Sequence, residues 1–143
     1  MLPLAHVGIT LFFAKHFKPV HLPLLATAVF SVLPDLIDKP LYLLGMAPTS
    51  RFIAHTVWFG IAFALMCIAF FPRQTRVPLA VAALVGSWFH LALDLNSPLP
   101  LFFPLVSFDF TSQVGLSLSF DAATIMFELI GFCALLLVVL ESD

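Results

Sequence analysis

Apolar positions fall into five runs, about 2–17, 20–37, 52–71, 77–95 and 121–140. A helix needs around 20 residues to cross about 30 Å of hydrocarbon, and the third, fourth and fifth runs reach that length. The first is short, and Lys15 and Lys18 at its end would snorkel toward the interface. Its basic residues follow the apolar stretch, so it does not read as a cleavable signal. The pattern predicts a turn at Lys18-Pro19, a second helix ending near Leu33-Pro34-Asp35, and later boundaries at Pro72, Pro78 and Pro98. Between the fourth and fifth runs, residues 96–120 carry Pro98, Pro100 and Pro104 inside an apolar string. Proline at that density excludes a regular helix, while the string is too apolar for a solvated loop. It reads as a re-entrant or interfacial segment, with residues 41–47 a smaller example.

Composition sets the class. Hydrophobic residues make up 62% of the 143 positions and charged residues 10%, against about 45–50% and 25% in soluble domains. Six Lys and Arg with eight Asp and Glu cannot coat a globule of this size. The expectation is one membrane-embedded domain over residues 1–143, an all-α integral membrane bundle of about five transmembrane helices. A net charge of −2 offers nucleic acid no basic face. Cys67 and Cys133 sit mid-way through apolar runs and read as small core residues. Gly60 with Ala64, and Ala82 with Gly86, are small-residue pairs that let helices approach. Trp58, Trp88 and Tyr42 read as interface rings, and Lys15, His16, Lys18 and His21 as interface polar residues. Lys15, Lys18, Arg73 and Arg76 fall on one side, against Lys39 and Arg51 on the other. The positive-inside rule then puts the second and fourth connections on the non-cytoplasmic side.

The ionisable residues gather on that map. His6 lies near the start of helix 1, Asp35 and Asp38 at the end of helix 2, and Arg51 and His55 open helix 3. His90 and Asp94 close helix 4, and Glu128 lies about two turns into helix 5. Up-down alternation brings all of them to one end, whichever way the bundle is oriented. Arg51 with His55, and His90 with Asp94, are four apart and so predicted to share a helix face; Asp35 and Asp38 are three apart. Three imidazoles with two or three carboxylates form a mixed nitrogen and oxygen set that favours Zn²⁺, with Mn²⁺ or Fe²⁺ also suited, as one or two ions. His6, Asp35, His55, His90 and Asp94 are the expected ligands. Asp38 or Glu128 is expected to accept a proton, and Arg51 to clamp an anionic phosphate. A plainer reading makes His90 and Asp94 a structural pair between two helices. No phosphate-cradling loop or nucleophile elbow is present.

His6, Leu33-Pro34-Asp35-Leu36-Ile37-Asp38, Arg51 to Thr56 and His90 to Asp94, followed by a proline-containing apolar stretch, resemble the YdjM-like, LexA-regulated family of membrane-bound metal-dependent hydrolases. The resemblance covers roughly residues 5–105; the family's second acidic residue is commonly two positions after the first, where this chain has Ile37. The order of motifs is also similar to zinc-dependent phospholipase C and S1-type nucleases, which implies hydrolysis at phosphorus. The combined expectation is a hydrolase in a prokaryotic inner membrane, its site on the non-cytoplasmic side. It would cleave a phosphoester or phosphoanhydride of a lipid or lipid-linked substrate, with the Pro/Phe segment 98–106 admitting the tail. The alternative is a non-enzymatic ion or proton carrier, or a structural subunit stapled by a metal.

Overall fold

The computed structural model describes residues 3–16, 21–111 and 121–141. Lys18-Pro19 and the last residues of the 96–120 connection lie outside them. Among the described residues there are five α-helices and no strand: α1 Pro3–His16, α2 Leu24–Leu43, α3 Val57–Phe70, α4 Arg73–Leu93 and α5 Ala122–Leu140. A single 3-10 turn, Ile53–His55, precedes α3. Two helices, α4 and α5, are long and apolar enough to cross a membrane. The third run differs from expectation. Its helix has 14 residues, about 21 Å at 1.5 Å per residue, because the chain before Val57 is taken up by the loop and the 3-10 turn.

The second helix also differs: it continues through Pro34 and Pro40 to Leu43. A proline inside a helix removes one donor and presses on the preceding turn. Here the neighbouring turn is held from outside, since the Ser31 carbonyl accepts a bond from His90 Nδ1 at 2.7 Å. The chain leaves α2 through Gly45, whose φ of +71° is open to glycine at little steric cost.

Helix α4 packs against α1, α2 and α3, while α5 packs on α1. Close approach rests on small residues. A Cβ on Gly8 would fall 1.8 Å from the Gly131 carbonyl oxygen, and one on Gly86 would fall 2.6 Å from Phe30 Cβ. Helices α1 and α5 run parallel. The Glu128 carboxylate accepts from the Leu4 and Ala5 amides at 3.1 and 3.3 Å, and at the far end Lys15 Nζ donates to the Val138 carbonyl at 2.8 Å. Each contact sets opposite charge against a helix end.

The Pro-rich connection folds back on the protein. Val57 donates to the Leu101 carbonyl at 2.9 Å, and Phe52, Phe103 and Phe110 stack with centroids 5.2–6.1 Å apart. This aromatic cluster holds the chain between α2 and α3 in place, beside the polar end of the bundle.

Candidate metal centre

Asp38 organises the site. Fully buried on α2, it accepts from the Phe52 amide at 2.7 Å, the Ala54 amide at 3.1 Å and the His55 amide at 3.2 Å. A carboxylate that gathers three amides within four residues offers them an alternative to a regular helix. Arg51 and His55 are therefore not one turn apart on a helix face, as their spacing predicts; His55 ends the 3-10 turn instead. Asp38 Oδ2 also accepts from His55 Nδ1 at 2.8 Å. Its oxygens are occupied by these donors, so it orients an imidazole and is not placed to take a proton from substrate water.

The tautomers follow from the partners. An ionised carboxylate and a carbonyl can only accept, so His55 Nδ1 donates to Asp38 and His90 Nδ1 donates to Ser31. Both rings then turn Nε2 toward one point, the two atoms 3.3 Å apart. Neutral rings would set two lone pairs face to face, an arrangement that calls for a proton or a cation between them. At a zinc–nitrogen length of about 2.0–2.1 Å, this separation subtends roughly 105–110° at a shared ion, close to tetrahedral.

The remaining ligand candidates surround that point. Asp35 Oδ1 lies 3.5 Å from His55 Nε2 and 3.9 Å from His90 Nε2. His6 stacks on His90 with centroids 4.2 Å apart, and its Nε2 is 3.4 Å from Asp94 Oδ1. Asp94 Oδ2 is 4.0 Å from His55 Nε2. Two groups, His6 with His90 and Asp94, and Asp35 with His55 and His90, have the separations needed to hold a metal ion. All three imidazoles are at most 1% exposed, which in an apolar chain is costly without a partner charge.

Two other expected residues are placed differently. Arg51 Nε donates to Asp94 Oδ2 at 3.1 Å, so its charge serves a carboxylate of the cluster. Glu128 is absent from both groups and caps the first turn of α1, the helix that carries His6. Sequence reasoning passed over Lys39, whose Nζ meets Asp35 Oδ2 at 2.5 Å; its four-residue spacing from Asp35 was the available signal. It also had no means of finding the Ser31 carbonyl, a backbone partner.

Electrostatics reinforce this picture for the two groups outside the helices. Burial pushes the His55 imidazole down, but its bonds to Asp35 and Asp38 and their charges outweigh that, and its pKa is raised above the ordinary 6.5. Burial pushes Asp94 up, yet the His6 contact and the Arg51 charge hold its carboxyl well below the usual carboxylate range.

A cavity of about 300 Å³ reaches the cluster between α1 and α2, lined by His6, Asp35 and His90 with Val32, Leu36 and Lys39 among its walls. No residue of the 98–106 segment lines this cavity. No protein-family model matches the chain, and neither does any curated protein or solved structure.

Proposed function

We infer that the protein is a metal-dependent hydrolase of the membrane interface, acting on a phosphoester or phosphoanhydride of a lipid or lipid-linked substrate. The observation that carries this reading is the pair of buried Nε2 atoms at 3.3 Å, each ring fixed through Nδ1. Outer partners of this kind set the tautomer and orientation of metal-bound histidines. His90 has one lone pair to give, so the two groups that share it compete for its Nε2. His6, His55 and His90 with Asp35 and Asp94 would supply the ligands of one or two ions, and the nitrogen-rich set favours Zn²⁺ over Mn²⁺ or Fe²⁺. Such an ion lowers the pKa of water and polarises a phosphoryl oxygen.

The side chains divide the remaining work. Asp38 and Ser31 keep His55 and His90 aimed, and Arg51 balances the Asp94 charge. Asp35 is the cluster carboxylate that lines the cavity, its Oδ2 held by Lys39 and its Oδ1 turned to the imidazoles. All five helices are read as one bundle in a prokaryotic inner membrane, with this end on the non-cytoplasmic side. Support for the membrane placement alone comes from the outward display of large apolar residues on every helix, from Leu4 and Leu25 to Leu65, Trp88 and Leu140. The resemblance to YdjM-like hydrolases points the same way.

Metal analysis of purified protein, joined to a hydrolysis screen on phospholipids and lipid pyrophosphates with and without chelator, tests the reading. His90→Ala and Asp94→Ala are expected to abolish both bound metal and turnover. Full turnover in chelator would sink it, and bound metal without turnover on any substrate would favour a structural staple.

A further inference from the structure

The cavity beside the centre has a chemistry of its own. Val32, Leu36, Lys39 and Leu43 stand at four- and three-residue steps on one face of α2 and all line it. This stripe runs about 16 Å along the helix. Opposite stand Pro3 and His6 of α1, with His90 at the floor. The walls are apolar except for one cation, Lys39, beside the metal-facing carboxylate. Lys39 keeps about a third of its side chain exposed (36%) and binds Asp35 through Oδ2, while Oδ1 of the same carboxylate faces the imidazoles. With neutral imidazoles, Asp35, Asp38 and Asp94 are set against Lys39, Arg51 and a divalent ion, which leaves the centre net positive. A volume of about 300 Å³ is at the lower end of pockets that enclose small ligands. Its rim at Leu36 and Leu43 is exposed and apolar, a surface that a lipid chain would cover.

We propose that the α1–α2 cleft takes an amphiphile with a phosphate head and one aliphatic chain, with Lys39 holding the head and the Val32–Leu36 wall the chain. The proposal rests on the hydrolase reading above and replaces Arg51 and the 98–106 segment as the head clamp and the chain route. Lys39 lines the cleft, whereas neither Arg51 nor that segment does. Lys39 thereby becomes the residue that sets substrate selectivity.

Calorimetry on the purified, metal-loaded full chain in neutral detergent tests this with decyl phosphate, inorganic phosphate and decanol as probes, metal content being measured on every sample. Decyl phosphate is expected to bind at least about tenfold more tightly than either fragment. Lys39→Gln is expected to weaken it about tenfold, as loss of a charge-assisted bond should, while Lys39→Arg retains it. Leu36→Trp, which narrows the cleft, is expected to weaken decyl phosphate and leave inorganic phosphate unchanged. Equal affinity for inorganic and decyl phosphate overturns the proposal, since it denotes a free-phosphate site. So does decyl phosphate binding unchanged in either Lys39→Gln or Leu36→Trp at full metal content. A wild-type protein without bound metal overturns the hydrolase reading, and this proposal falls with it.

Discussion

Asp38 shows how much one buried carboxylate can decide. It draws the Phe52, Ala54 and His55 amides together and holds the His55 ring by Nδ1. Asp38→Asn keeps the volume but loses the ionised acceptor. A loss of about 10–100-fold in metal affinity is expected, the usual effect of removing such an outer partner, and competition with a chromogenic chelator measures it. Protonation supplies a second check at this scale. The raised His55 pKa means that a proton must leave before Nε2 can bind an ion. Metal affinity is therefore expected to climb with pH beyond the ordinary 6.5 of histidine. In metal-free protein the sign reverses: the paired imidazolium contributes stability that is fully present below 6.5 and is lost as pH rises through its raised value. Thermal unfolding in detergent, followed across pH with and without chelator, is expected to give opposite slopes.

At the level of helices, backbone contact dominates. Gly8 and Gly131 meet where no side chain fits, and Gly131 would bring a Cβ within 2.5 Å of Ala5 Cα. Gly131→Leu is expected to destabilise the protein by about 3 kcal/mol or more, beyond ordinary overpacking because the obstacle is main chain. Loss of tertiary near-ultraviolet signal at lower denaturant would report it. Gly60, Ala64, Ala82 and Gly86 were legible as packing residues because two small residues stood four apart. Gly8 and Gly131 were not, since each stands in a different helix and only the fold pairs them. Helix ends were misread for a related reason. Pro34 carries a strong local stop signal, yet α2 continues past it, and the nearby Ser31 carbonyl accepts from His90, 59 residues away along the chain. Periodicity could place five helices and could not see that partner. The same limit applies to His55, where local spacing predicts a helix and Asp38 supplies a competing structure.

Across the whole molecule, the convergence of His6, Asp35, His55, His90 and Asp94 was readable because alternation of helices assigns each to an end without any knowledge of side-chain contacts. Their inner division was not: Arg51 bonds to Asp94, Asp38 to His55, and Glu128 to the α1 amides of Leu4 and Ala5. A centre that joins α1, α2, the 3-10 turn and α4 should act on global stability. Chelation is expected to lower the unfolding midpoint by several degrees, in line with about 2.7 kcal/mol for an ion at one hundred times its dissociation constant; an unchanged midpoint would mean that no ion ties these elements. Among the described residues α5 packs on α1, and its Glu128 caps the first turn of the helix that carries His6. Its contribution has a consequence for biosynthesis. Every candidate ligand precedes residue 95, so a ribosome has delivered the full donor set before α5 emerges, and the last helix arrives as a latch on a cluster whose parts are already in hand.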